Sequence, residues 1–352
     1  MVVNEPGSDL LLVGDIGGTK TDLMILAPAG EHFAPLARAR LRSAEYPNLS
    51  RLLQEFLRTT GLRIKRACLA VAGPVVDGRA QLTNLPWGVE GAQLCRELDL
   101  EAVDILNDLA AIAHAIPALG SQDLLTLNAG NEHARGTKAI IAPGTGLGEA
   151  FLVWSGQNYQ PCPSEGGHAD FAPPTKALEA LLPYMRTRVE HVSYELVCSG
   201  IGIPYLYEFF RDCGNGEESS ALAQELALAS DRTPLIIAHA LDPRSPCSLC
   251  RATLEAFIAI LGAEAGNLAL KVFALGGVYI GGGLPPRLIP LLKEEIFLSA
   301  FCDKGRFSPL LASLPVWLIT NPDVALIGCT VYGRARIKKD GSPSAHQSPP
   351  NP

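Results

Sequence analysis

The chain has 352 residues, with 29 lysines and arginines against 36 aspartates and glutamates, a formal net charge of −7. That length calls for two domains around separate cores, and the mild acidity argues against a nucleic-acid binder and for a protein that handles small molecules. Nine cysteines, an odd number, lie scattered among apolar neighbours, the pattern of reduced thiols in a cytoplasmic protein. Only Cys247 and Cys250 have ligand-like spacing, and no second close pair accompanies them, which argues against zinc. There is no basic segment leading a long apolar run at the N-terminus. The most apolar later tract, 257–284, is broken by Glu264, Lys271 and glycines, so neither a signal peptide nor a membrane span is expected.

In chain order, the first element is Leu11-Leu12-Val13-Gly14-Asp15-Ile16-Gly17-Gly18-Thr19-Lys20 with its continuation to Leu26, two apolar strands joined by a glycine turn. Such a turn suits phosphate, because glycines accept positive φ and let backbone N–H groups approach an anion, while Thr19 and Lys20 add donors. Asp15 stands where it could hold a hydrated Mg²⁺ facing the same phosphates. The same residues also make an ordinary glycine hairpin with Asp15 as a turn residue. No Walker A string is present, and a strand rather than a helix follows the turn, against a dinucleotide fingerprint.

A third strand is expected from His32 to Ser43, its Arg38, Arg40 and Arg42 alternating as on one solvated face. Leu49 to Thr60 has helical spacing stopped by Gly61, and 66–72 reads as a buried strand ending at Gly73-Pro74. Thr83-Asn84-Leu85-Pro86-Trp87 reads either as a ligand-facing loop or as a turn with Trp87 in the core. Ala102 to Leu106 is a strand stopping at Asn107-Asp108, before an apolar helix containing His114, a core histidine by its surroundings. Ligands gather at the carboxyl ends of sheet strands, so Asp108 is a candidate general base; as a helix N-cap it would have no chemistry.

Lys138 to Val153 repeats the opening pattern around Gly144-Thr145-Gly146-Leu147-Gly148, the sign of a duplicated domain with one phosphate turn in each half, clamping a polyphosphate across a cleft. Glu165-Gly166-Gly167-His168 follows. The paired glycines disfavour a helix and hence a metal site, and favour a loop that binds the hydroxyls of a polyol. A short helix is expected over 189–200, with Glu195 pointing either to a ligand or to water. Ala252 to Phe273 is a long apolar helix. Gly281-Gly282-Gly283 comes after a strand and offers a bare backbone to a nucleoside, and 338–352, rich in serine and proline, reads as a disordered tail.

Taken in order, Gly14-Asp15-Ile16-Gly17-Gly18-Thr19, Thr83-Asn84, Asn107-Asp108, Gly144-Thr145-Gly146-Leu147-Gly148, Glu165-Gly166-Gly167-His168, Glu195 before Ser199-Gly200, and Gly281-Gly282-Gly283 give a chain that resembles the bacterial-type glucokinases of the hexokinase, actin and Hsp70 superfamily from Leu11 to Tyr332. The resemblance implies an α/β, two-domain actin-like (ribonuclease H-like) fold with duplicated mixed-sheet domains around a central cleft. The domains would be 1–118 plus 320–337 and 119–319. It implies ATP bound at Gly14, Asp15, Ile16, Gly17, Gly18, Thr19, Gly144, Thr145, Gly146, Gly282 and Gly283, and Mg²⁺ at Asp15 through water. Glucose would be held by Asn84, Asn107, Asp108, Glu165, His168 and Glu195, with Asp108 as base, in a cytoplasmic homodimer without nucleic-acid or membrane partners. The cysteine-rich zinc motif that related sugar kinases and repressors carry after their histidine is absent after His168. Two rival readings are a non-catalytic nucleotide-dependent regulatory protein of the same fold and a dinucleotide enzyme built on Gly144-x-Gly146-x-Gly148, the latter opposed by the strand that follows.

Overall fold

The computed structural model describes residues 10–341 apart from 31, 83, 84, 134, 215 and 246; Thr83 and Asn84 therefore lie outside the described residues. The chain divides into two compact units, Met1–Leu119 with Pro322–Pro352, and Gly120–Asn321.

Unit one contains β1 (Leu11–Ile16), β2 (Lys20–Ala29), β3 (His32–Arg42), β4 (Arg66–Val71), the small-sheet strands β5 (Val75–Val76), β6 (Arg79–Gln81) and β7 (Gly88–Glu90), and β8 (Ala102–Asn107). Its main sheet has the order β3-β2-β1-β4-β8. The pairs on the β3 side of β1 are antiparallel and those on the β8 side parallel. Strand β1 is apolar at successive positions because both of its faces are covered. Leu12 and Ile16 meet Leu52, Leu53 and Phe56 of the helix Leu49–Thr60. Leu11 and Val13 meet Ala111 of the helix Asp108–Ala115, and Ala325, Leu326 and Cys329 of the helix Val324–Gly341. Side chains alternate along a strand, so Asp15 falls on the Leu11 and Val13 face, next to the end of β1.

The helix Leu49–Thr60 has the boundaries its spacing predicts: Asn48 accepts the Arg51 N–H at 2.9 Å, and Gly61 stops it with φ 65°. On the opposite face Gly328 lets two helices touch, since a Cβ there would enter the Ala111 carbonyl. Trp87 is 3% exposed in the core. The last helix continues to Gly341, past the point at which a tail was expected, and 342–352 lie outside the described residues.

Unit two repeats the plan with β9 (Leu124–Asn128), β10 (Lys138–Pro143), β11 (Leu147–Trp154), β12 (Tyr159–Ser164), β13 (Val278–Ile280) and β14 (Val316–Ile319). The order is β12-β11-β10-β13-β14-β9, with the same change from antiparallel to parallel at the central hairpin strand and β9 added antiparallel at the edge. The helix Ser248–Lys271 is long and apolar enough to cross a membrane, yet 83% of its apolar window is buried in the unit. A helix that is apolar all round is a core helix when protein covers it, and Leu254, Phe257, Leu261 and Leu268 are all core residues. Cys247 caps it, its Sγ accepting the Cys250 N–H at 3.5 Å, which accounts for the Cys-x-x-Cys spacing without a metal. Among the described residues no group of three or more metal-ligating side chains occurs.

Candidate active site

In unit one the glycine turn is closed by the Gly17 N–H donating to the Lys20 carbonyl at 3.0 Å. Ser43 staples it, with Oγ donating to the Gly17 carbonyl at 2.7 Å and its N–H to the Thr19 carbonyl at 3.2 Å. None of Gly14, Gly17 and Gly18 has a positive φ, contrary to the sequence reading. The requirement for glycine is one of space: a Cβ on Gly14 would lie 2.9 Å from the Leu23 and Leu69 side chains, and one on Gly17 2.9 Å from the Lys20 carbonyl.

Asp15 is pushed up to about 6, by burial first and then by the charges of Asp108 and Asp22, with Lys20 opposing. Burial also raises Asp108, against the hydrogen bond it accepts from the Leu109 N–H at 2.8 Å. The helix cap is not Asp108 but its neighbour. Asn107 accepts the N–H groups of Leu109 and Ala110 at 2.9 and 3.3 Å and donates to the Gly73 carbonyl at 3.1 Å. Capping thus occupies Asn107 and leaves one of its two side-chain N–H groups for a ligand.

The arginines of β3 are only in part a solvated face. Arg38 forks onto Asp323 at 2.7 and 2.6 Å and Arg40 reaches Asp22 at 2.6 Å, while Arg42 stays exposed beside Glu45. These pairs set cations on Asp22 and Asp323, while the charge of Asp108 adds to burial in raising Asp15. His114 is half-buried, meets Tyr332 edge-on at 4.9 Å and is lowered by burial, the core histidine expected.

In unit two the Gly144 N–H closes the second turn on the Gly146 carbonyl at 2.8 Å. Gly144 and Gly146 also lack positive φ. The turn is held from outside: the Gly200 N–H donates to the Gly144 carbonyl at 2.8 Å, the Ile201 N–H to the Thr145 carbonyl at 3.3 Å, and Glu195 Oε2 accepts the Leu147 N–H at 2.9 Å. Glu195 is therefore tied to the hairpin, with its other oxygen 4.0 Å from His168 Nε2.

The segment 193–200 is a run of turns and not the expected helix. Two of its donors go sideways, the Tyr194 N–H to the Ala169 carbonyl at 3.0 Å and the Glu195 N–H to the Gly167 carbonyl at 2.8 Å, while those of Leu196, Val197 and Cys198 close short turns on Ser193 and Tyr194. The partner segment, expected as a loop, is one 3₁₀ turn, Gly166–His168, following Glu165. Both glycines are needed in it, because a Cβ on Gly166 would meet the Glu149 carboxylate and one on Gly167 the Leu147 carbonyl. The structure thus brings Glu165, His168 and Glu195 onto two joined turns beside Gly144–Leu147.

The same unit has a pocket of about 590 Å³, within the range of small-molecule sites, about 300–1,000 Å³. Gly144, Thr145 and Gly283 line it, with Gly200, Tyr205, Asp231, Arg232, Thr233 and Arg287. Gly282 does not line it: with φ 87° and no room for a Cβ against the Pro143 carbonyl, it seats the triple glycine on the end of β10. Residues 230–233 and Arg287 carry no local sign of this role. Their nearest signal is a helix start, Asp231 accepting the Thr233 N–H at 3.0 Å, whereas the Thr233 hydroxyl on the Gly200 carbonyl at 2.7 Å joins distant segments. A family model described as Glucokinase matches residues 12–336.

The chain belongs to the glucokinase family. The glucokinase of Nostoc punctiforme is 40% identical over 336 residues, covering 92% of this chain and 98% of that protein. That of Synechocystis is 37% identical over 344 residues, covering 91% and 96%. Among solved structures, a glucokinase from an Antarctic psychrotroph superposes with a TM-score of 0.77 at 34% identity, covering 93% of this chain and 99% of its own. The actin-like two-domain fold expected from the motifs is the fold of this glucokinase family member, and each of its units carries one of the two glycine hairpins.

Proposed function

We infer that the chain transfers the γ-phosphoryl group of ATP to the 6-hydroxyl of D-glucose, giving glucose 6-phosphate and ADP. The observation that carries this reading is the family match over residues 12–336, joined to a half-buried carboxylate, Asp108, at the end of β8 and within electrostatic reach of Asp15. Phosphoryl transfer proceeds through a loose transition state, so positioning and charge neutralisation supply most of the acceleration. In our reading Asp108 accepts the proton of the attacking hydroxyl. Its raised affinity for a proton, from burial, suits that task. Asn107, Asp108, Glu165, His168 and Glu195, with Asn84 outside the described residues, hold the sugar hydroxyls. The glycine turns at Gly14–Thr19 and Gly144–Gly146 take the phosphates with the backbone donors left over once Gly17 and Gly144 close them, and the pocket at Gly283 takes the nucleoside.

Mg²⁺ fits the first hairpin. Asp15, raised by burial and by the neighbouring charge of Asp108, forms with Asp108 a surplus of negative charge that a hydrated divalent cation offsets, using one or two carboxylates and the phosphate oxygens. When bound, it would neutralise charge on the transferred group. We place the enzyme in the cytoplasm as a homodimer feeding glycolysis. The test is a coupled assay for glucose 6-phosphate with ATP and Mg²⁺. Sustained glucose-dependent formation of ADP and glucose 6-phosphate is the expected result. ATP binding with no transfer to any hexose would overturn it and leave a non-catalytic nucleotide-dependent protein.

A further inference from the structure

Among the described residues one buried side-chain oxygen has no hydrogen-bond partner: Glu149 Oε1, on β11. An orphan of this kind calls for a physical explanation. Glu149 is 1% exposed, and the carboxylate that faces it, Glu264 of the helix Ser248–Lys271, is 0% exposed. Two carboxyl groups that meet away from water do not both ionise readily. Burial first, and then the charge of Glu264, push Glu149 up to about 7, with Lys271 opposing. Glu264 already has a donor on each oxygen, Lys271 Nζ donating to Oε1 at 3.2 Å and Asn267 Nδ2 to Oε2 at 2.8 Å. The proton of the pair therefore belongs on Glu149, where it turns the orphaned acceptor into a donor.

The pair lies under both turns of the sugar half-site. Gly166, between Glu165 and His168, abuts Glu149 so closely that a Cβ would strike its carboxylate. On the other side Asn267 Nδ2 donates to the Tyr194 hydroxyl at 3.0 Å, and Tyr194 immediately precedes Glu195. We propose that Glu149 and Glu264 are positioning residues for the sugar-binding turns: Glu149 keeps its proton and donates it to Glu264, clamping β11 to the long helix beneath Glu165, His168 and Glu195. This rests on the reading that those three side chains hold glucose.

Loss of the proton sets a second negative charge against Glu264. The cations that face the pair are Lys271 and, towards Glu264, Lys304, which burial holds below the ordinary lysine range. Tyr194 and Cys198, the other titratable groups there, are kept neutral because burial raises both. The turn at Gly166 then loses its support, so the KM for glucose rises with pH while kcat and the KM for ATP do not follow it.

The experiment measures the three constants between about pH 6 and 8.5 in the wild type and in Glu149→Gln, which is neutral at every pH and still a donor. In the wild type the KM for glucose rises up to about thirtyfold, the ratio of ionised to protonated acid about 1.5 pH units above its pKa. In the variant it stays at the wild-type low-pH value. Infrared difference spectra of the sugar-free wild type against Glu149→Gln add a second readout, a protonated-carboxyl stretch that titrates away around neutrality and is absent from the variant. Superimposed KM profiles in two active enzymes, or no such band at pH 6, would overturn the positioning role alone. A wild type that fails to phosphorylate glucose would overturn the reading of the site and the positioning role with it.

Discussion

Strands β1–β2 and β10–β11 form the same antiparallel hairpin at the same place in the same strand order, yet where β1 has Asp15 next to its last residue, β10 has Ala142. The first hairpin is surrounded by Asp15, Asp22, Asp108 and Asp323, only some of them paired with arginine. The second is held by backbone bonds from Gly200 and Ile201 and by the single carboxylate of Glu195, and it opens on a pocket of mixed character. Duplication supplies the geometry twice. The side chains set at the strand ends then differ, clustered carboxylates in one unit and a pocket beside the hairpin in the other.

Substitutions on the two sides test that difference. Asp108→Ala is expected to lower kcat at least about hundredfold, with glucose still bound by calorimetry. An equal loss of kcat on removing Glu195 would erase the distinction between the hairpins. Asp15→Asn should raise the Mg²⁺ concentration for half-maximal rate about tenfold, the loss of one carboxylate near the cation, read from rate against Mg²⁺ at fixed ATP. In the second hairpin the contrast is between neighbours. A Cβ on Gly146 would fall on the Glu195 carboxylate, whereas one on Gly144 meets nothing within 4 Å. Gly146→Ala should therefore cost several-fold in kcat/KM for glucose, a loss of about 1 kcal/mol, and Gly144→Ala little. The smallest effect is expected for stability at Asn107: Asn107→Ala removes a helix cap worth about 1 kcal/mol, seen as a drop of a few degrees in Tm.

Local chemistry made much of this legible in advance. Both hairpins, the helix between Asn48 and Gly61, and the place of Asp108 at a strand end follow from apolar alternation, caps and glycine turns within a dozen residues. What stayed hidden depends on partners far away in sequence. Arg38 pairs with Asp323 across 285 positions, so its face looked solvated. Glu195 reaches the Leu147 N–H across 48, and the Tyr194 and Glu195 N–H groups turn sideways to Ala169 and Gly167, away from the helix expected there. Glu149 reads as an ordinary polar position in a strand until the long helix brings Glu264 against it.

Unit one is made from both ends of the chain, because the helix Val324–Gly341 covers Leu11 and Val13 on a sheet whose strands all precede residue 108. About 200 residues of unit two are synthesised between those two parts, a delay of roughly 10–40 s at about 5–20 residues per second. During that interval one face of the first sheet is covered by the helix Asp108–Ala115 alone, while unit two, continuous in sequence, can already fold. A nascent chain interrupted before residue 324 would carry a finished second half and an apolar sheet face only partly covered, a surface that chaperones and proteases recognise. The last helix thereby makes the carboxylate-bearing half of the molecule the last to mature.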